Sequence, residues 1–196
     1  MELFFDTETS GLYKFKLPYS DPSQPWIVQF GAILSDRNFV YHELNLIIKA
    51  NGRSIEPGAE QVHCISALIS DQIGFPEYTV CSMFMVLVEM ADTLVCHNFD
   101  FDSGLMQALA HRVEESHDVE YEDWLKVRLK GSGSYCTMKS STDLCKLPGK
   151  YGKFKWPKLQ ELHQFLFNEG FDDAHDALAD VKATRRCYYE MVKEKE

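Results

Sequence analysis

The stretch ELFFDTETSGL, residues 2–12, joins an apolar run to two acidic residues and a turn. The apolar run predicts a short strand over residues 2–6 that delivers the chain into a polar turn. Asp6 and Glu8 are two positions apart, so in extended backbone their carboxylates lie on the same face. Like charges this close repel one another unless a cation lies between them. The pair is therefore either a metal site or a strand end with solvated acids, and the stretch alone leaves both open.

A second group of polar residues, HNFDFD at 97–102, follows an apolar strand predicted at 93–96. Ligands of α/β proteins gather beyond the carboxyl ends of the strands. Asp102, at the start of a helix predicted over 101–112, is therefore expected at the same edge as the first acidic pair. Taken singly, Asp102 fits equally well as a first-turn acid that stabilises the helix dipole.

A third motif, HDALAD at 175–180, stands near the end of the chain. His175 and Asp180 are five positions apart, which is about 500° of helix rotation, so they do not share a helix face. We expect His175 on the loop that enters the helix and Asp180 one turn inside it. A histidine on a mobile loop beside a fixed carboxylate suits a transient proton acceptor. The plain alternative is an exposed histidine near a capping aspartate.

The remaining pattern predicts one α/β domain over residues 1–196 with a mixed sheet. Further strands are expected at 26–34, 39–48 and 135–137, with a hairpin at 36–38. Helices are expected at 57–67 and 78–91, from residue 157 onward, and at 176–193. Residues 114–123, with six acids and no base, are expected to form a solvated face or loop. No repeat or linker divides the chain.

Together, D-x-E, H-N-x-x-F-D and H-x-A-x-x-D resemble, in order and spacing, the DnaQ-like 3′→5′ exonuclease family in its DEDDh branch. The likeness extends to IVQFGA at 27–32 and to residues 57–66, and covers roughly 1–110 and 155–192. It implies an α/β, RNase H-like fold with a mixed five-stranded sheet flanked by helices. Two departures are Cys64, where many relatives have glycine, and a long loop at 12–26.

Carried over by position, the resemblance makes Asp6, Glu8, Asp102 and Asp180 metal-binding carboxylates and His175 the general base. Hard divalent cations such as Mg²⁺ or Mn²⁺ prefer carboxylate oxygen, and a pair of them can hold a scissile phosphate. Two divalent ions are therefore the expected cofactors. The family's nucleotide-contacting positions correspond to Thr9, Gly11 and Leu12, and contacts to the substrate are also expected from His97 and Asn98.

The charge of the chain is unevenly distributed. It holds 20 basic and 30 acidic residues, a formal charge of −10, which argues against a nucleic-acid coat or a membrane-surface protein. Residues 124–158, however, contain nine basic residues and one acid, interleaved with aromatics. This mix suits phosphate contacts and base stacking. We predict that Lys150, Lys153 and Lys155 guide a single strand into the site; a solvated surface loop is the alternative.

The sequence thus predicts an enzyme that releases nucleoside 5′-monophosphates from DNA 3′ ends, in proofreading or DNA turnover. The close alternative is the same chemistry on RNA 3′ ends or short oligoribonucleotides, and a third is a non-catalytic nucleic-acid-binding module. Single-stranded DNA is the expected partner and a DNA polymerase a candidate one. No membrane or nucleotide cofactor is expected, since neither a G-x-G-x-x-G nor a phosphate-loop motif occurs. Six scattered cysteines and no targeting segment predict a soluble cytoplasmic protein.

Overall fold

A computed structural model describes residues 1–131 and 133–193. Its strands are β1 (Glu2–Thr9), β2 (Ile27–Ser35), β3 (Val40–Ile47), β4 (Thr93–Cys96) and β5 (Ser134–Cys136). The helices of the first half are α1 (Pro57–His63), α2 (Ala67–Ile73), α3 (Glu77–Met90) and α4 (Phe99–Ser116). They are followed by α5 (Glu122–Lys130), α6 (Thr137–Ser140), α7 (Thr142–Cys145), a 3₁₀ turn (Lys150–Gly152), α8 (Leu159–Phe167) and α9 (Ala177–Val192).

The five strands form one mixed sheet in the order β3-β2-β1-β4-β5. The first three strands form an antiparallel meander, whereas β4 pairs parallel with β1 and β5 parallel with β4. β2 is buried along its whole length, as expected of a mostly apolar strand covered on both faces. The predicted mixed sheet and its five strands are confirmed.

Helices cover both faces of the sheet, and the first strand shows how. Adjacent side chains on a strand point to opposite faces. Phe5 packs on Phe84 of α3, with ring centroids 5.1 Å apart, while Phe4 packs on Tyr188 of α9 at 5.4 Å. Residues 2–6 thus anchor both layers of the core, which fixes where the strand delivers the acidic residues that follow.

Several predicted bounds differ from the structure. The first strand runs on to Thr9, so both acids of the D-x-E motif lie within it. The single helix predicted at 57–67 is two helices, because Cys64 takes a left-handed conformation with φ 59° and its N–H bonds the carbonyl of Glu60. Cys64 thus adopts the left-handed backbone conformation that glycine favours at a helix end.

The middle of the chain holds helices that the sequence reading missed. The helix predicted over 101–112 begins at Phe99 and continues to Ser116, into the segment expected to be a solvated face or loop. α5 buries Leu125 and Leu129, whose spacing of four was the available signal. α6 and α7 were also missed, and the helix expected from residue 157 begins at Leu159. Within the described residues, no helix is both long and apolar enough to cross a bilayer.

Candidate active site

The predicted acidic residues meet at one edge of the sheet. β1 and β4 are parallel, so their carboxyl ends lie together. Asp102, in the first turn of α4, is 2% exposed, and its Oδ1 accepts hydrogen bonds from the Thr7 backbone N–H (3.1 Å) and hydroxyl (2.8 Å). Thr7 lies between Asp6 and Glu8 on β1. These two bonds therefore join the second motif directly to the first.

The third motif reaches this edge because the start of α9 is pressed against β2. Asp176 caps the helix by accepting the N–H groups of Leu178 and Ala179 at 3.1 Å each. Gln29 of β2 donates to Asp176 at 2.7 Å and accepts the Ala177 N–H at 3.2 Å. This docking places Asp180, in the first turn of α9, over β1.

Gly31 makes that docking possible. A Cβ at Gly31 would lie 2.5 Å from the backbone carbon of Ala177, so only glycine allows the strand and the helix to approach this closely. Gln29 and Gly31 were not among the predicted site residues. The sequence did contain a signal, because this strand is otherwise mostly apolar. A glutamine in such a strand needs a hydrogen-bond partner, and a glycine often marks the close approach of another backbone.

Glu8, His175 and Asp180 form the compact centre of the site. One ligand atom from each lies within 4.8 Å of the other two. Oδ1 of Asp180 is buried and has no hydrogen-bond partner among the described residues. His175 lies on the loop before α9 with φ 73°, exposed to solvent. The positions predicted for Asp180, one turn inside the helix, and for His175, on the entering loop, are confirmed.

Burial raises the pKa values of these carboxyl groups. Burial removes solvent from the Glu8 carboxylate and raises its pKa from the ordinary 4.5 to about 8. The negative charges of Asp180 and Asp102 contribute smaller parts of this rise. Loss of solvent also raises the pKa of Asp6, with Asp102 the strongest of its charged neighbours, and the pKa values of Asp102 and Asp180 rise from the same cause. An orphaned carboxylate oxygen within a crowded acidic cluster is a donor set that a hard divalent cation fits.

A cavity of about 540 Å³ opens beside this cluster. Glu8 and His175 line one side of it, and Leu12, whose side chain is 80% exposed, lines another. Thr9 and Gly11 shape the wall, since the Thr9 hydroxyl donates to the Gly11 carbonyl at 2.7 Å. A Cβ at Gly11 would lie 2.7 Å from the carboxyl carbon of Glu56. Of the three predicted nucleotide contacts, Leu12 thus projects freely while Thr9 and Gly11 hold the turn.

His97 and Asn98, the other predicted contacts at this edge, join neighbouring elements. The Nδ1 of His97 hydrogen-bonds with the Thr137 hydroxyl at 2.9 Å, and its Nε2 donates to the Pro157 carbonyl at 3.0 Å. Burial lowers the pKa of His97 to about 4, so the ring is neutral. Because both ring nitrogens of His97 are hydrogen-bonded within the protein, this geometry indicates a structural role. Contact between His97 and the substrate stays a prediction. Asn98 is the residue before α4 and has φ 78°.

The basic segment 124–158 is not one surface loop. Arg128 on α5 donates to the carbonyls of Val88 and Ala91, and Lys139 pairs with Asp100. The three lysines predicted to guide the strand, Lys150, Lys153 and Lys155, are exposed on a compact turn before α8. Lys155 pairs with Glu161.

No protein-family model and no curated protein match this sequence. Solved structures do match. E. coli exonuclease I in complex with a dT13 oligonucleotide superposes with a TM-score of 0.76 and 20% identity over 98% of this chain. A zinc-bound E. coli exonuclease I–ssDNA complex gives 0.72 and 20% over the whole chain, and a product-bound exonuclease I gives 0.71 and 20% over 98%. The chain spans 40%, 40% and 43% of those proteins. It has the RNase H-like fold found in exonuclease I.

Proposed function

We propose that this protein is a metal-dependent 3′→5′ exonuclease of the DEDDh type, which releases nucleoside 5′-monophosphates from single-stranded DNA. The observation that carries the proposal is the convergence of Glu8, His175 and Asp180, from β1, the loop before α9 and α9 itself, within 4.8 Å. Asp6 and Asp102 add two further carboxylates, whose pKa values are raised by burial, and the charge of Asp102 raises that of Asp6 further. Structural likeness to exonuclease I, solved with DNA oligonucleotides, supports the substrate class.

The four acids would hold two divalent ions, Mg²⁺ or Mn²⁺, and the buried unpartnered oxygen of Asp180 favours this assignment. When bound, such ions would neutralise the carboxylates and polarise the scissile phosphate. His175 would accept the proton of the attacking water. Its exposed place on the loop before α9 leaves the ring accessible to that water, and the carboxylate of Asp180 beside it would stabilise the imidazolium that results.

The cavity beside the cluster would receive the terminal nucleotide. Leu12 offers an exposed apolar surface for the base, while Thr9 and Gly11 keep the turn in shape. The whole chain, 1–196, would act as one exonuclease domain in the cytoplasm, with a DNA polymerase as a candidate partner.

The test is digestion of oligonucleotides labelled at the 5′ end, DNA and RNA in parallel. With Mg²⁺ we expect a ladder of products shortened from the 3′ end, with release of 5′-monophosphates. Chelator or the substitution Asp6→Ala should abolish the ladder, because either removes part of the metal site. Binding without any shortening in Mg²⁺ or Mn²⁺ would refute the proposal, and faster shortening of RNA than DNA would refute its assignment to DNA.

A further inference from the structure

Residues 147–156, the hairpin before α8, stand out from the rest of the surface. Backbone hydrogen bonds close the hairpin from Gly149 N–H to the Lys153 carbonyl (2.9 Å) and from Lys155 N–H to the Leu147 carbonyl (3.0 Å). Its tip is Tyr151, 96% exposed, and Trp156 at its base is 60% exposed. A short, hydrogen-bonded element thus presents two large aromatic rings to solvent.

The backbone at the tip is unusual for the residue it carries. Tyr151 has φ 56° and ψ 34°, a left-handed conformation that bulky side chains rarely adopt. The fold gains almost no burial from a side chain that is 96% exposed. Gly152 also has a positive φ, 72°, and the Lys153 N–H bonds the Lys150 carbonyl at 3.2 Å, so Tyr151 is the first central residue of a two-residue hairpin turn, which projects its ring from the tip.

The charge around Tyr151 indicates the kind of partner. The neighbouring Lys150 and Lys153 are exposed, and among the described residues neither lies within ion-pair distance of a carboxylate. The chain has a formal charge of −10, so Lys150 and Lys153 form a basic patch around Tyr151 on a protein that is acidic overall. Lysines for phosphates and a flat ring for bases are the two components of sequence-tolerant single-strand binding.

The hairpin is held at the edge of the sheet where the acids converge. The Pro157 carbonyl, at its base, accepts the Nε2 hydrogen of His97 just after β4, and the other ring nitrogen bonds Thr137 just after β5. The cavity with Leu12 lies on the other side, between the end of β1 and α1. A strand whose 3′ end filled that cavity and which left the site across β4 and β5 would pass the hairpin.

We propose that this hairpin is a stacking arm for single-stranded DNA, with Tyr151 stacking on a base upstream of the scissile bond; this rests on the proposed exonuclease function. Tyr151 is six positions before Pro157, so the Cα atoms of the two residues are at most about 20 Å apart, which is the length of about six stacked nucleotides. The arm therefore acts on strands long enough to reach from the cavity to the hairpin and leaves dinucleotides unaffected. Duplex ends are excluded from it because their bases are already stacked.

The test compares Tyr151→Ala with Tyr151→Phe, which keeps the ring. Phe39→Ala is the matched control, since Phe39 is a 61% exposed ring beside the opposite edge strand, β3. Binding of a labelled oligothymidylate of about 16 nucleotides is measured in chelator, and hydrolysis of that strand and of a dinucleotide is measured with Mg²⁺. We expect Tyr151→Ala to raise the Kd for the long strand about 5- to 150-fold, the range for loss of one stacked base.

The same variant should lower kcat/KM on the long strand by a similar factor and leave dinucleotide hydrolysis unchanged, with Tyr151→Phe and Phe39→Ala resembling the wild type. Equal Kd values for Tyr151→Ala and wild type would overturn the proposal. So would an equal loss of rate on both substrates, which would mean that the hairpin supports the site rather than the strand. A wild type that hydrolyses neither substrate would refute the proposed function, and the Kd comparison would still decide the role of Tyr151.

Discussion

The acidic cluster predicts that the metal-free protein loses stability as pH rises. The pKa of Glu8 is about 8 in the folded protein and 4.5 ordinarily, so the folded state retains a proton that the unfolded chain releases. The free energy of unfolding therefore falls between about pH 4.5 and pH 8. This difference in pKa corresponds to about 5 kcal/mol, at about 1.4 kcal/mol per pKa unit. The pKa values of Asp6, Asp102 and Asp180 are also raised. Because the acids repel one another, protonation of one relieves the repulsion on the others, so their contributions to the pH dependence do not add.

Thermal unfolding in chelator at pH 5 and pH 8 measures this effect. Because part of the effect lies below pH 5 and Glu8 is only half ionised at pH 8, the loss between these two pH values is about 3.5 kcal/mol, which corresponds to a fall in Tm of about 7–14 °C for a chain of this size. Glu8→Gln should reduce the fall, because the amide cannot ionise and no longer repels Asp180. At pH 8, Mg²⁺ at about 100 times its Kd should restore about 2.7 kcal/mol.

Asp118→Asn is the control, because Asp118 is an exposed acid in the segment after α4 and its removal should leave the pH dependence unchanged. A Tm that is flat or rises from pH 5 to pH 8 in chelator would show that the carboxylates are not crowded as the structure has them. An equal fall in the wild type and in Glu8→Gln would refute the part assigned to Glu8.

Three further predictions follow from the site and its supports. His175→Ala should lower kcat about 10²- to 10⁴-fold while the stabilisation by Mg²⁺ persists; loss of that stabilisation in melting curves would instead make His175 a metal ligand. Replacing Lys150 and Lys153 with Ala should reduce the slope of log Kd against log salt by about 1.4, as two lost contacts to single-stranded phosphates require, and an unchanged slope would remove both from the strand's path. Gly31→Ala should lower stability by about 1–3 kcal/mol and also reduce activity, because the methyl group displaces Ala177 and the start of α9; unfolding and rate measurements that match the wild type would contradict the close approach.

Much of the fold could be read locally. The strand at 93–96 was predicted at its observed bounds, because a short apolar run between polar turns has few other solutions. The errors lie where tertiary packing decides. α5 is stabilised by burying Leu125 and Leu129 against the core, and a helix of only nine residues gives a short and therefore weak periodic signal. The break at Cys64 depends on a left-handed conformation that the cysteine itself does not favour.

From sequence alone, the basic residues of segment 124–158 that bind other parts of the protein could not be distinguished from those that stay exposed. A run of positive charges does not reveal which side chains form hydrogen bonds or ion pairs within the protein. Arg128 donates to two backbone carbonyls and Lys155 pairs with Glu161, whereas Lys150 and Lys153 remain exposed on the hairpin. Likewise, the sequence did not reveal that both ring nitrogens of His97 join neighbouring elements, and the contact of His97 with substrate stays a prediction.

The sequence by itself determined the candidate residues of the site and the kind of element on which each lies. Residue spacing put Asp6 and Glu8 on one face of a strand and Asp180 one turn inside a helix, because those periods are properties of the backbone alone. Only the tertiary structure decided that residues 8 and 180 contact the same small volume. That proximity depends on Gln29 and Gly31, which let the last helix rest directly on the second strand, and on Thr7, which bonds Asp102 across the sheet edge. Interactions between residues so distant along the chain leave no periodic trace, so packing alone sets the distances within the site.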